Sequence, residues 1–287
     1  MNRLKSIFVS VFITYVLLIA GLIIWQVLNG SSNDLWLANG LGVAMILLYF
    51  AGIFLIDVPR TSKHMIWITI PILLGFIWAA YIYWGIGQGP EWLFGFSGGT
   101  LLTWLIYTYW ATDFSDRDLH TLKLGQRMPN AELKDVDGQS VMLSSFFQSP
   151  AIFLFYRGNW CPFCMAQIKE LAKEYQRIKA KGAELIFISP QNSRYIKSLA
   201  KKVKIPAHFL LDESLTAAKQ LGVFSDSGTP FGMEVLGFTS DNVLPTLIVT
   251  DANGIIRFAD LTDNYRMRPE PTTYLKLLEE IVEGRDG

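Results

Sequence analysis

Two side chains in this sequence of 287 residues can do thiol chemistry: Cys161 and Cys164, its only cysteines, three positions apart in "FYRGNWCPFCMAQIKEL" (Phe155 to Leu171). A pair at that spacing can cycle between dithiol and disulfide. One sulfur attacks a substrate sulfur or a peroxide oxygen, and the other releases the adduct. The neighbours set the geometry. "AIFLFY" (Ala151–Tyr156) is a continuous apolar run, as expected of a strand buried on both faces. From Cys161 the spacing turns helical, with Met165, Ile168, Leu171, Tyr175 and Ile178 on one face and Lys and Glu opposite. Pro162 suits the first helical position, whose N–H has no intrahelical partner. Cys161 therefore falls at or beside the N-cap, where free N–H groups and the helix dipole favour a thiolate. One pKa unit is about 1.4 kcal/mol and the dipole supplies roughly 0.3–1, so a larger shift needs direct N–H···S contacts. Cys164 follows one turn later on the same face, within disulfide reach. Two inert, buried thiols are the bland alternative. The placement between a buried strand and a helix, behind Trp160 and around Pro162, favours redox chemistry. Arg157 is a candidate for raising the thiolate fraction, against a merely solvated role. Trp160 is a candidate for covering the sulfur and meeting a partner.

Two cysteines are too few for a disulfide-stapled domain or a four-ligand zinc site, and His64, His120 and His208 do not cluster with them. Neither a metal nor a cofactor is expected. The 25 basic and 25 acidic residues balance, which gives no sign of a nucleic-acid partner.

The apolar residues are unevenly spread. Four nearly uncharged runs, Ile7–Leu28, Leu35–Ile56, Met65–Trp84 and Trp92–Ala111, are each long enough to cross a lipid bilayer as a helix. The breaks "NGSSND", "DVPRTSKH" and "GIGQGPE" read as turns, and tryptophans lie near the run ends. The expected organisation is a four-helix membrane region (1–111), a linker (112–123) and a soluble domain (124–287). Arg3 and Lys5, with Arg60 and Lys63 in the second connection, place both segments on the cytoplasmic side. An even number of spans puts the soluble domain there too, on what is expected to be a bacterial cell membrane. Without Cys, His or mid-depth charges, the spans read as an anchor.

In the soluble part, strand-like runs alternate with amphipathic helices: "SVMLSSFF", "AIFLFY", "AELIFIS" and "AHFLLD" as strands, "NSRYIKSLAKKV" as an exposed helix. The stretch 224–242 reads as a long loop. "PTLIVT" and "GIIRFAD" flank the hairpin signal "DANG", and "PEPTTYLKLLEEIVEG" closes the domain as a helix. This alternation indicates a layered α/β domain.

"WCPFC" resembles the active-site motif of the thioredoxin superfamily, closest in form to glutaredoxins. "VLPTLIVTDANG" resembles the segment carrying that superfamily's cis-proline. The resemblance implies that Pro245 packs against the cysteines while Leu244 and Thr246 offer backbone groups to an extended substrate. Residues 120–283 resemble the peroxiredoxin-like (alkyl hydroperoxide reductase/thiol-specific antioxidant) branch in "LGQRMPNAELKDVDGQSVMLSSF", "FYRGNWCPFC", "LPTLIVTDANGIIRFAD" and "DNYRMRPEP". Aligned on "FY", Cys164 takes the branch's peroxidatic position and Cys161 stands where it has Thr or Ser. Aligned as a thioredoxin, Cys161 is the nucleophile, and the helix terminus favours that choice. Leu244-Pro245 stands where the branch has an arginine. Arg266 and Arg268 receive no role.

The resemblance implies a thioredoxin-like fold, a central mixed sheet flanked by helices. The implied function is a membrane-anchored thiol-disulfide oxidoreductase or thiol-dependent peroxidase. Its substrate would be a disulfide or hydroperoxide, and its reductant a thiol such as thioredoxin or glutathione. A redox sensor or adaptor with little turnover is the alternative, and reversed topology a further one.

Overall fold

A computed structural model of the chain describes residues 2–30, 34–87, 89–115 and 117–284. The chain divides into two compact units, Arg3–Asp113 and the part from Phe114 onward.

The first unit holds helices α1 (Asn2–Leu28), α2 (Asp34–Leu55), α3 (Ile66–Ala80) and α4 (Glu91–Ile106). The last two run on through π-helical turns, Tyr81–Ile86 and Tyr107–Ala111. Of the expected turns, residues 31–33 and Gln88 lie outside the described residues. Among the described residues, α1, α2 and the stretch Ile66–Ile86 are long and apolar enough to cross a membrane. The fourth predicted run is helical but does not join them, because Gly95, Ser97, Gly98, Gly99, Thr100 and Thr103 dilute its apolar character. Large apolar side chains such as Leu18, Trp67 and Trp84 point outward from the unit. Close packing depends on Gly75, where a Cβ would sit 2.9 Å from the Ala38 carbonyl of α2. The buried Asn39 amide donates to the Leu35 and Leu93 carbonyls at 2.9 and 3.1 Å.

The second unit is built on a mixed seven-stranded sheet in the order β2-β1-β5-β4-β3-β8-β9. The strands are β1 (Glu132–Asp135), β2 (Ser140–Met142), β3 (Ala151–Phe155), β4 (Glu184–Ser189), β5 (His208–Leu211), β8 (Thr246–Thr250) and β9 (Ile256–Ala259). A two-stranded ribbon pairs β6 (Phe224–Ser225) with β7 (Asn242–Val243). Strand β3 lies between β4, to which it is parallel, and β8, to which it is antiparallel; all five of its residues are buried. That placement explains its uninterrupted apolar sequence. The remaining helices are α5 (Pro162–Lys173), α6 (Tyr175–Ala180), α7 (Ser193–Val203), α8 (Thr216–Gln220) and α9 (Pro271–Val282).

Three segments differ from the sequence reading. "SVMLSSFF" is strand only to Met142 and then a 3₁₀ turn, Leu143–Phe146. The helix after Cys161 breaks at Glu174 into α5 and α6. Within the stretch expected as a linker, Phe114 donates its N–H to the Asp263 carbonyl at 2.6 Å, and Arg117 and Leu122 are buried. Apolar side chains and a guanidinium with carbonyl partners tie that stretch down.

Phe153 of β3 is fully buried, with the rings of Phe146 and Phe147 edge-on at 6.3 and 6.4 Å. Phe153→Ala should cost about 3–5 kcal/mol of stability. Denaturant unfolding of the detergent-solubilised chain would read this as a lowered midpoint; an unchanged midpoint would contradict this account of the core.

Candidate active site

The site is the turn from β3 into α5. Strand β3 ends at Phe155, and the next N–H, that of Tyr156, donates to the Ile188 carbonyl at 2.9 Å. The chain then bends at Gly158, whose φ of +152° lies in a region L side chains rarely adopt. A Cβ there would stand 2.8 Å from Trp160 Nε1 and 3.3 Å from Gln191 Oε1. Gln191 braces the bend. It accepts from the Asn159 N–H at 2.9 Å and donates to Asn159 Oδ1 at 2.8 Å and the Tyr156 hydroxyl at 3.1 Å. The Cys161 N–H closes the turn on the Gly158 carbonyl at 3.1 Å.

Cys161 is the N-cap of α5, with extended backbone (φ −88°, ψ 109°), and Pro162 is the first helical residue. The Cys161 carbonyl accepts the Met165 N–H at 3.0 Å. Both thiols are free and buried, Cys161 at 2% exposure. The Cys161 thiol is lowered to about 6. A hydrogen bond from the Cys164 side chain does most of this, against the penalty of burial; the Arg157 charge, the Cys164 backbone N–H and the Arg268 charge add to it. Cys164 is pushed up, first by burial, then by serving as donor to Cys161 and by the charge on Cys161. The pair is therefore one thiolate and one thiol sharing an S–H···S contact. The N–H···S contact anticipated at a helix terminus comes from Cys164 itself.

Arg157 is not a solvated strand-end residue. Its guanidinium lies 4.6 Å from the Trp160 ring centroid and 5.5 Å from that of Tyr265, and it donates to the Gly228 carbonyl. Trp160 is half-buried and edge-on to Phe238 at 6.5 Å. Phe238 stacks on Tyr195 at 4.5 Å, and the Tyr195 hydroxyl donates to the Leu236 carbonyl at 2.5 Å. The loop between β6 and β7 is thus fastened to the cysteine turn.

Thr246 pairs across the sheet with Phe155, so Pro245 lies beside the end of β3 from which the turn departs. Two expectations fail here. The described residues contain no cis peptide bond, so Pro245 is not a cis-proline. Nor are the neighbouring backbone groups open to an extended substrate. The Leu244 N–H donates to the Val223 carbonyl at 2.7 Å, and the Leu244 carbonyl accepts the Thr246 hydroxyl at 2.8 Å. Thr246 Oγ1 in turn accepts from Arg117 at 2.5 Å. Val223, just before β6, and the Thr246 hydroxyl thus take the two backbone groups of Leu244.

Arg117 and Arg268 were the residues that sequence reasoning missed. Arg117 also donates to the Asp260 and Thr262 carbonyls at 3.3 and 3.0 Å. Burial pulls its pKa down to about 10, opposed by Asp260 and reinforced by Arg268. Arg268 donates to the Pro245 carbonyl at 3.4 Å. The doublet in "DNYRMRPEP" was a visible signal for Arg268; Arg117 had none. Among the described residues, no three His, Cys, Asp or Glu side chains gather where a metal could bind.

Alkylation of reduced Cys161 by iodoacetamide should rise with pH to a midpoint near 6, against about 8.5 for a free thiol. The same shift stabilises the folded, reduced protein. That contribution is complete above the unfolded thiol's pKa and is lost as pH falls through about 6. An alkylation midpoint near the free value would show that the turn does not polarise the sulfur. Gly158→Ala should displace Trp160 and move the midpoint upward.

The AhpC/TSA family matches residues 124–259. The chloroplastic peroxiredoxin Q of Sedum lineare is 34% identical over 160 residues, covering 55% of this chain and 78% of the relative. That of Triticum aestivum is 38% identical over 102 residues, covering 36% of this chain and 47% of the relative, so the chain spans about half of it. Among solved structures, peroxidoxin BcpB from Mycobacterium tuberculosis aligns at TM-score 0.45 and 18% identity, covering 58% of this chain and 99% of that one. AhpC of Enterococcus faecalis aligns at TM-score 0.47 and 16% identity, covering 57% and 96%. The chain belongs to the AhpC/TSA family of peroxiredoxins, and its activity is that of a thiol-dependent peroxidase.

Proposed function

We propose that Cys161 and Cys164 reduce a small hydroperoxide in a domain held at a membrane by the N-terminal helices. The observation that carries this reading is a thiolate-forming sulfur at the N-cap of α5, hydrogen-bonded to a second thiol and only 2% exposed. A peroxide reaches such a sulfur with little rearrangement, whereas a protein disulfide needs the turn to open. The Cys161 thiolate attacks the terminal peroxide oxygen. An S–O bond forms, the O–O bond breaks, and the leaving oxygen takes a proton from solvent to depart as alcohol or water. The Cys164 thiol then attacks the sulfenic sulfur, forming the disulfide and releasing water. A thiol reductant such as thioredoxin or glutathione returns the pair to the dithiol.

The supporting side chains have assigned tasks in this reading. Pro162 starts the helix and so fixes the cap. Arg157 adds positive charge and, through Trp160 and Gly228, holds the 226–241 loop over the turn. Pro245 and Thr246 open β8 beside the end of β3 from which the turn departs. The basic residues Arg3, Lys5, Arg60 and Lys63 favour a cytoplasmic domain, where a reducing thiol pool is available. Resistance of the full chain to extraction from membranes by alkaline carbonate would support the anchor; release into the supernatant would remove it.

Single-turnover oxidation by hydrogen peroxide separates the two sulfurs. Cys161→Ser should bring peroxide consumption down to the uncatalysed level. Cys164→Ser should leave the first oxidation and stop disulfide formation, so that the sulfenic acid accumulates and can be trapped with dimedone. The reverse pattern would sink this assignment.

A further inference from the structure

Helix α7 carries Arg194, Lys197, Lys201 and Lys202, and Lys204 caps it. From Leu185 to Leu211 the chain holds no acid, although the whole sequence is neutral. Ile196 and Leu199 of α7 are buried, whereas these cations are exposed. Among the described residues, the one acid within ion-pair reach of them is Asp137, 3.7 Å from Lys197 and itself largely in water. The helix dipole accounts for cations in the last turn. It does not account for Arg194, which stands in the first turn, where a cation is unfavourable and no acid is present.

The same end of α7 holds an apolar tip. The loop between β6 and β7 forms a 3₁₀ turn, Met233–Leu236, between Gly232 and Gly237, both with positive φ. The Tyr195 hydroxyl and ring fasten this loop to α7 through Leu236 and Phe238. Phe231, Val235 and Leu236 are exposed, Val235 at 89%. The one acid of the turn, Glu234, bends back to accept the Gly232 N–H at 2.8 Å. Lys202 follows Tyr195 by seven positions, two helical turns along the same row, as Lys201 follows Arg194. Apolar side chains on a braced turn thus stand beside rows of cations.

We propose that this face of the second unit lies on the anionic headgroups of a lipid bilayer. Phe231, Val235 and Leu236 enter the layer, and the α7 cations meet its phosphates. Interfacial binding of this kind combines buried apolar area with the attraction of Lys and Arg to anionic lipid. The bilayer is at hand. The first unit supplies helices long and apolar enough to cross one, and the second unit follows it directly at Phe114. The proposal rests on reading those helices as an anchor; it does not depend on which sulfur attacks. The Trp160 and Phe238 rings are 6.5 Å apart, so docking sets the cysteine turn beside the headgroup layer.

The test uses the full chain in nanodiscs of phosphatidylcholine, alone or mixed with phosphatidylglycerol. Val235→Cys, combined with Cys161→Ser and Cys164→Ser, takes a nitrobenzoxadiazole label at the tip. Lys276→Cys on α9, whose side chain is 77% exposed, carries the control label in the same background. In the anionic discs the tip label should shift to the blue and be quenched by spin-labelled lipid, while the control label stays in water. Each cation at an anionic surface is worth about fivefold in the ratio of docked to free tip. Lys197→Gln, Lys201→Gln and Lys202→Gln together should lower that ratio about 100-fold and abolish the shift. A tip label that remains in water in the anionic discs would overturn the proposal, and so would equal shifts of both labels. Cover of the tip by added thioredoxin but not by lipid would overturn it in favour of a protein partner. If the cysteine-free chain does not fold, hydrogen exchange of the wild type decides. Amides 231–238 should then exchange more slowly in anionic than in neutral discs; equal exchange overturns the proposal. A chain that fails to enter nanodiscs faults the anchor reading itself, and the proposal with it.

Discussion

The chemistry depends on one hydrogen bond, from the Cys164 thiol to the Cys161 sulfur at the start of α5. It divides two identical side chains into a thiolate and a thiol, and that asymmetry is what a stepwise redox reaction requires. The bond exists because the helix begins at Pro162, which puts the two residues one turn apart with Cys161 as the cap. The helix begins there because β3 ends at Phe155 between two partner strands and the chain must turn sharply to leave the sheet. Gly158 permits the turn, and Gln191, arriving just after β4, ties it down from the side. The polarised sulfur is thus a product of the sheet as much as of the motif.

Much of this frame was legible in the amino-acid sequence because local patterns specify it. The apolar run in β3, the proline at the first helical position and the amphipathic face of α5 are short-range signals, and each matches the structure. The hairpin between β8 and β9 was equally plain. What escaped detection is long-range. Arg117 reaches Thr246 across 129 positions, and Arg268 comes from a loop more than 100 residues after the cysteines, beyond any spacing rule. The expectation for Leu244 and Thr246 failed for a related reason. Whether a backbone group is open to a substrate depends on what else folds against it, here Val223 just before β6 and the Thr246 hydroxyl.

The first unit shows where hydrophobicity reaches its limit as a guide. All four apolar runs are helical, yet the fourth is diluted by small and hydroxyl-bearing residues and falls short of the others as a candidate span. Thr100 and Trp104 of that helix are buried among its neighbours, whereas Leu18 of α1 and Trp67 of α3 face outward. A helix that gives polar atoms to the interior of a bundle and few apolar ones to the exterior scores poorly by composition. Packing, more than solvent preference, dictates its sequence.

The lowered Cys161 thiol also bears on the energetics of recycling. What holds the charge on that sulfur in the reduced form, the Cys164 donor before all, has nothing to hold once a disulfide forms. The dithiol is thereby favoured over the disulfide, and the midpoint potential of the couple is raised. The disulfide is then a readier electron acceptor, so the step that restores the resting enzyme runs downhill from a modest donor.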